Sequence, residues 1–308
     1  MSLHRLHRLF RGIARHFHVL TIAALILFDV QAASARQNGA GPPGDVVHRP
    51  KPAPLVTYAL VGRDVIEAHL RAAPRRNEDR EAALDSMFVQ AGCQVGNLSE
   101  EPVKRKRFPN LICRMPGSLD ATIIVGAHFD KVPRGGGVVD NWSGASLLPS
   151  LFESLHDQPR KHTFLFIGFT AEEEGLVGSR YYVSQMTPDE VARTQAMVNI
   201  DTLALGATEI WLTHSDRRLA SAFLGVAQSM KLPVAIMNAD RVGNDDSASF
   251  MRRKIPTLMI HSITNSTLHI LHSADDNLGA VRFADYYNSY RSLSAYLAWL
   301  DATPDQPE

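Results

Sequence analysis

The sequence predicts an α/β fold, a three-layer sandwich of helices around a mostly parallel mixed sheet in a single domain. Short apolar runs, such as residues 121–125 and 163–169, alternate with segments whose apolar residues recur at helical spacing, such as residues 145–156. Several apolar runs also end in acidic residues or histidine, and open parallel sheets bind ligands at the carboxyl ends of their strands. The 308 residues are 45% hydrophobic and 21% charged, which suits one sizeable domain.

The first 35 residues have the pattern of a secretory signal peptide. Four arginines precede a short apolar run at residues 19–30, and Ala33-Ser34-Ala35 follows as a small-residue cleavage site. Because the run is short and contains Asp29, a cleaved signal is favoured over an uncleaved membrane anchor. We therefore expect a protein exported to the periplasm or the cell exterior, with no stable membrane association after cleavage.

The charge of the remaining chain bears on its partners. Removing residues 1–35 takes away four Arg and one Asp, which leaves 28 basic and 31 acidic residues. A mildly acidic chain argues against nucleic acid as a partner.

Residues 36–55 are rich in Gly and Pro and predict a flexible lead-in, so one folded domain is expected over residues 56–308. Cys93 and Cys113 belong to no CxxC motif. In an exported protein two cysteines permit one disulfide, and two buried thiols fit equally well.

The predicted elements follow one another along the chain. Apolar spacing predicts helices at residues 56–70 and 78–90, separated by Pro74. Strands are predicted at 107–115 and 120–127, joined by the turn Pro116-Gly117. Next come a helix at 145–156, a strand at 163–169, a helix at 176–185 and a strand at 195–200. The remaining predictions are strands at 209–213, 233–236 and 257–260 and helices at 217–230, 247–253 and 281–299.

His128 and Asp130 follow the strand predicted at 120–127. Residues two apart point to the same side of a strand, so both side chains can face one pocket. A carboxylate behind a metal-binding imidazole fixes the tautomer of the imidazole. Asp130 could therefore support His128 if His128 binds a metal. Asp140 follows three glycines in a loop. Taken singly, His128 and Asp130 also fit a surface histidine beside a turn aspartate, and Asp140 also fits an ordinary turn residue.

Glu172 and Glu173 end the strongly apolar strand at 163–169. Adjacent buried carboxylates repel each other unless a cation neutralises them. Neighbouring side chains diverge, so one can bind metal while the other acts as a general base. Asp201 ends another apolar strand, and His272 begins a polar run near the C-terminus. These residue types are those of a zinc site.

Five motifs together resemble the co-catalytic di-zinc aminopeptidase family, which includes secreted bacterial leucyl aminopeptidases and the protease domain of glutamate carboxypeptidase. In the family's order they are His128-Phe129-Asp130, Asp140-Asn141-Trp142-Ser143-Gly144, residues 171–179 (Ala-Glu-Glu-Glu-Gly-Leu-Val-Gly-Ser), Asn199-Ile200-Asp201 and His272-Ser273-Ala274-Asp275-Asp276. One such motif is a weak signal, but five in order are a strong one. The resemblance implies an exported zinc metallopeptidase that hydrolyses the N-terminal bond of peptides.

The resemblance also implies two zinc ions per chain. His128 and Asp201 would bind one, Glu173 and His272 the other, and Asp140 would bridge them. Three protein ligands per ion leave open positions for water and substrate, as in catalytic zinc sites. Glu172 would be the general base that works with a metal-bound hydroxide, and Asp130 would be the partner of His128.

The chain departs from the family at the pocket wall. The family often has Ser-Asp-His before x-x-Phe, whereas within residues 245–250 of this chain Ser247 occupies the position of the histidine. The resemblance therefore does not imply which N-terminal residue of the substrate is preferred.

Two alternatives stay open. Glutaminyl cyclase has a similar zinc fold and comparable ligand positions but uses one zinc, and Asp245-Asp246 and Arg252-Arg253 resemble that branch too. A non-catalytic receptor or binding module would keep the fold without metals, although such a site should have lost at least one ligand.

Overall fold

The structure is a computed structural model that describes residues 56–94, 96–240 and 243–303. The predicted signal peptide (1–35) and lead-in (36–55) lie outside the described residues. Within them, eight strands form one sheet: β1 (Leu98–Glu101), β2 (Asn110–Met115), β3 (Thr122–His128), β4 (Thr163–Phe169), β5 (Thr194–Ile200), β6 (Thr208–Ile210), β7 (Val234–Ile236) and β8 (Thr257–His261). Their order across the sheet is β1-β2-β4-β3-β5-β8-β6-β7.

The centre of this sheet is parallel. β3 pairs in parallel with both β4 and β5, and β5 pairs in parallel with β8. β1 and β2 add antiparallel strands at one side, and β6 pairs antiparallel with β8 at the other. The carboxyl ends of β4, β3, β5 and β8 therefore meet at one edge. The predicted mixed α/β sheet is confirmed.

Helices cover both faces of the sheet. They are α1 (Arg63–Arg71), α2 (Asn77–Gln90), α3 (Ser143–Ala145), α4 (Leu147–His156), α5 (Val177–Gln185), α6 (Pro188–Arg193), α7 (Arg217–Ser229), α8 (Ser247–Met251) and α9 (Phe283–Ala302). The sequence prediction did not include β1 or α6, both of which are short. The remaining elements agree with the prediction to within a few residues, except at α1.

The helix predicted at 56–70 begins only at Arg63. Val56, Tyr58 and Val61 are buried, but in an extended segment rather than on a helix face. The segment is held by the amide of Ala59, which donates to the carbonyl of Ser154 at 2.9 Å. The amide of Val61 donates to the hydroxyl of Tyr290 at 2.8 Å. These distant partners satisfy the backbone, so a helix is not required there.

Cys93 and Cys113 form a disulfide with Cα atoms 6.3 Å apart. It joins the segment after α2 to strand β2. The structure thus decides between the two possibilities that the sequence left open.

The core follows the alternation of side chains along the strands. Ile123 and Val125 of β3 pack on one face with helices such as α4 and α9, and Ile124 packs on the other with Val183 of α5 and Phe250 of α8. Burial on both faces explains the continuous apolar runs in the sequence. No helix among the residues that the structure describes is long and apolar enough to cross a membrane.

Glu209 of β6 is a buried carboxyl that lies opposite His261 in the sheet. Its Oε2 lies 3.9 Å from Nδ1 of His261, but that nitrogen already accepts the amide N–H of Ile263 at 3.0 Å. The imidazole donates from Nε2 to the carbonyl of Met237 at 2.8 Å. Glu209 therefore accepts no hydrogen bond from His261. Burial raises the pKa of Glu209 from 4.5 to about 7.

We expect Glu209→Gln to raise the free energy of unfolding at pH 8 but not at pH 4. The folded pKa lies above the unfolded value, so between about pH 4.5 and 7 the unfolded chain loses its proton first and stability falls as pH rises. The ionised carboxyl costs up to roughly 3 kcal/mol above that window. Urea unfolding of the variant and wild type across this pH range measures the difference. Exposed Glu100→Gln is the control, and parallel profiles for Glu209→Gln and wild type would contradict the expectation.

Candidate metal centre

The predicted ligands lie along one edge of the sheet. His128 is the last residue of β3, Glu172 and Glu173 follow β4, and Asp201 follows β5. Asp140 lies in the loop after β3, and His272 lies in the loop after β8. Since β4, β3, β5 and β8 are neighbours whose carboxyl ends share this edge, residues up to 144 positions apart in the chain come together.

The five predicted ligands form two groups that share Asp140. One group is His128, Asp140 and Asp201, and the other is Asp140, Glu173 and His272. Within each group, the ligand atoms lie within 4.8 Å of one another.

The two carboxylate oxygens of Asp140 face different groups. Oδ1 lies 3.3 Å from Nε2 of His128, and Oδ2 lies 3.3 Å from Nε2 of His272. Asp201 Oδ1 is 3.5 Å from Nε2 of His128, and Glu173 Oε2 is 3.0 Å from Nε2 of His272. The geometry therefore offers two adjacent metal positions with one shared carboxylate.

Asp276 holds the loop that carries Asp140. Its Oδ1 accepts the amide of Val139 at 2.7 Å, and its Oδ2 accepts the amide of Asp140 at 3.2 Å. Its main-chain oxygen accepts the amide of Gly136 at 2.7 Å. The motif that supplies His272 thus also fixes the backbone of the shared carboxylate, a role that the sequence prediction did not assign to Asp276.

Asp130 connects the β3 and β4 loops. Its two carboxylate oxygens accept the amides of Glu172 at 3.0 Å and Glu173 at 3.2 Å. Oδ1 also lies 3.5 Å from Nδ1 of His128. Asp130 is therefore placed to orient both the imidazole and the Glu-Glu pair, as its predicted supporting role requires.

Crowded acids shift the titration of the centre. Burial, together with the charges of Asp246, Asp201 and Asp140, raises the pKa of Glu172 to about 10. Burial and Asp140 raise the pKa of Glu173 to about 7, and a hydrogen bond to Asp140 raises the pKa of His272 to about 9. These directions show that the centre is short of positive charge, which bound cations would supply.

The residues fit a zinc centre. Imidazole nitrogen and carboxylate oxygen are common zinc donors, and each group offers three of them. Within the two ligand groups, Oε1 of Glu173 is buried without a hydrogen-bond partner among the described residues. Buried polar atoms of this kind are usually satisfied, and an ion is one way to do so.

Glu172 belongs to neither ligand group. Its Oε2 lies 4.0 Å from Nε2 of His128, and only 12% of its side chain is exposed. Asp246 is fully buried, and its charge adds to burial in raising the pKa of Glu172. Ser247, where the family often has histidine, is also fully buried.

Arg80 of α2 is a fully buried cation that the sequence prediction missed. It donates to the carbonyls of Phe129 at 2.9 Å, Gly136 at 2.8 Å and Gly137 at 2.8 Å. These carbonyls belong to the loop that follows His128 and leads to Asp140. Gly137 has φ 60°, and a Cβ there would lie 2.8 Å from Nη2 of Arg80. Glycine suits this position because it tolerates positive φ and has no Cβ. The sequence signal was an arginine on the buried stripe formed by Leu84, Met87 and Phe88.

We expect Arg80→Met to lower the free energy of unfolding by about 3 kcal/mol or more, because several buried carbonyls lose their donor at once. The same variant should bind zinc more weakly, since the loop between His128 and Asp140 loses an anchor. Denaturant unfolding and competition with a chromogenic zinc chelator measure the two effects. Exposed Arg63→Met should change stability by no more than about 0.5 kcal/mol. Unchanged stability in Arg80→Met would refute the anchoring role.

Comparison with known proteins places this centre in a family. The profile of Peptidase family M28 matches residues 110–295, which contain all seven predicted site residues. Leupeptin-inactivating enzyme 1 of Streptomyces exfoliatus is 29% identical over 151 residues, which are 48% of this chain and 34% of that protein. The chain thus spans about a third or less of the length of the curated relatives it matches.

Two solved structures share the fold. The LapA aminopeptidase of Legionella pneumophila matches with a TM-score of 0.69 at 21% identity, over 79% of this chain and 73% of that one. The glutaminyl cyclase of an Acidobacteriales bacterium matches with a TM-score of 0.65 at 19% identity, over 78% of this chain and 93% of that one. The family profile covers three-fifths of the sequence and contains both ligand groups. The chain belongs to Peptidase family M28.

Proposed function

We propose that this protein is a zinc-dependent aminopeptidase that holds two zinc ions and releases the N-terminal residue of peptides. The position of Asp140 carries the proposal, because its two oxygens face two different ligand groups, each with its own histidine. A carboxylate shared in this way is suited to bridge two cations. Membership of a peptidase family and the aminopeptidase name of LapA support the choice of reaction.

In this proposal each residue of the centre has one task. His128 and Asp201 would hold one ion, Glu173 and His272 would hold the other, and Asp140 would contribute to both. Bound zinc would polarise the scissile carbonyl and make water easier to deprotonate.

The remaining tasks are proton transfer and orientation. Glu172 is free to move a proton because it is not a ligand, so it takes one from the attacking water and delivers it to the leaving amine. Asp130 orients His128 and the backbone of Glu172 and Glu173 through the contacts described above.

A glutaminyl cyclase is the alternative that has structural support. This chain covers 93% of the cyclase structure, and the charge of the buried Asp246 adds to burial in raising the pKa of Glu172. The two reactions give different products. An aminopeptidase shortens a peptide and releases a free amino acid, whereas a cyclase keeps the residue count and releases ammonia from an N-terminal glutamine.

Mass spectrometry of the products distinguishes them. The zinc-loaded protein would be incubated with two peptides that differ only in an N-terminal leucine or glutamine, and Glu172→Gln would control for contaminating enzymes. Shortened peptides support the aminopeptidase. Loss of ammonia from the glutaminyl peptide alone would support the cyclase and overturn the proposal.

We also propose that the protein acts outside the cytoplasm. The signal-like pattern at residues 1–35 supports this, and so does the Cys93–Cys113 disulfide, because disulfides persist mainly in oxidising compartments. N-terminal sequencing of protein recovered from the extracytoplasmic fraction should start near Arg36. An intact Met1 in a membrane fraction would indicate an anchor instead.

A further inference from the structure

A cavity of about 570 Å³ opens directly beside the metal centre. Asp130 and Glu173 form the side of the cavity next to the centre. Opposite them lie the segment before α2 and the loop before β2. The volume lies within the range of small-ligand sites. Glu173 belongs both to a ligand group and to the cavity wall, so the cavity and the centre are adjacent.

The cavity wall outside the metal centre is mainly basic. Five cationic side chains line it, and two carboxylates, Glu78 and Glu174, accompany them. The cations are Arg75, Arg76, Lys106, Arg107 and Lys131. This excess creates a positive potential, which a concave surface focuses.

Ion pairs neutralise part of this charge. Arg76 lies 2.7 Å from Asp79, Lys106 pairs with Glu174, and Arg107 lies 3.6 Å from Glu78. Lys131 is buried and donates to the carbonyl of Val132 at 2.7 Å, and no carboxylate in the described part of the chain forms an ion pair with it. Arg75 makes no ion pair within the residues that the structure describes. A bound anion would find unneutralised charge here.

The sign of the charge sets the direction of a bound peptide. The substrate of an aminopeptidase carries a positive α-amino group at one end and a carboxylate at the other. A basic cavity repels the first and attracts the second, so it suits the part of the peptide that follows the scissile bond. Phe108 and Val132 add apolar surface for the intervening residues.

We propose that this cavity binds the carboxyl side of the substrate and selects peptides that carry a carboxylate a few residues beyond the scissile bond. The carboxylate is either the C-terminus of a short peptide or an acidic side chain. The inference rests on the proposed aminopeptidase function and names its substrate class. Residues in an extended peptide advance by about 3.3–3.6 Å each, so the carboxylate of a tripeptide or tetrapeptide reaches past the centre into the cavity.

The test compares a tripeptide with the same tripeptide as its C-terminal amide. We expect kcat/KM to be about 5- to 10-fold higher for the free acid at low salt, from several exposed charge pairs acting together. The difference should shrink in 0.5 M NaCl, where exposed charges are screened. Equal values for the acid and the amide at low salt would overturn the proposal.

Variants locate the effect. Arg75→Glu combined with Arg107→Glu should remove or reverse the preference for the acid, whereas Arg252→Glu, an exposed arginine outside the cavity, should keep it. The result is read as the ratio of kcat/KM for the acid to kcat/KM for the amide within each variant, so a general change in activity cancels. Cleavage of an aminoacyl p-nitroanilide, which has no carboxylate beyond the scissile bond, shows that a variant keeps a working centre. A preference that survives in the double variant refutes the cavity as its source. Failure to cleave any of these substrates would instead refute the proposed function.

Discussion

Glu172→Gln should lower kcat about 10²- to 10⁴-fold while the protein keeps its zinc. The carboxyl lies beside the centre but belongs to neither ligand group, so the substitution removes a proton acceptor and no ligand. Glutamine fills the same space and cannot take up a proton. Steady-state kinetics and metal analysis of the same preparation measure both quantities.

Glu173→Gln is the matched control, because it makes the same chemical change one residue later. Oε2 of Glu173 lies 3.0 Å from Nε2 of His272 within the second ligand group. This variant should lose zinc affinity, and adding excess zinc should recover part of its activity. If Glu172→Gln loses zinc and Glu173→Gln keeps it, the two roles are assigned the wrong way round.

Removal of metal should reduce activity to the background rate. In the proposed reaction the bound ions would polarise the scissile carbonyl and lower the pKa of water. The apoprotein would keep only its acidic and basic side chains. Zinc should restore activity, and cobalt should do so as well, because both suit mixed nitrogen and oxygen ligands. Exhaustive chelation followed by dialysis, with activity measured before and after metal addition, tests this. Full activity in protein shown to be metal-free would be incompatible with the mechanism.

The sequence predicted the central strands well, and the structure brings the five predicted ligands together at one edge of the sheet. A strand such as β4 is buried on both faces, so it appears as an unbroken apolar run with sharp ends. The residues just past such runs, including His128, Glu173 and Asp201, meet at one edge because the central strands are parallel. Because the local pattern and the topology agree at these positions, the sequence could predict that these side chains lie close together.

The sequence could not predict features that depend on distant main-chain groups. Arg80 donates to carbonyls 49 to 57 residues away, and nothing in the local sequence identifies such partners. Asp276 likewise binds amides more than 130 residues away. The late start of α1 has the same origin, because Ser154 and Tyr290 satisfy the extended segment before it. The Cys93–Cys113 bond also required the fold, since it depends on β2 lying beside the end of α2.

Zinc titration of the apoprotein tests the central claim most directly. Purified apoprotein would receive increasing zinc, with bound metal and release of a free amino acid from a peptide followed together. The shared position of Asp140 predicts that binding saturates at two zinc ions per chain and that peptide hydrolysis reaches its maximum at the same point. Saturation at one zinc ion, with full activity, would contradict the bridging role of Asp140 and the two-zinc aminopeptidase that rests on it.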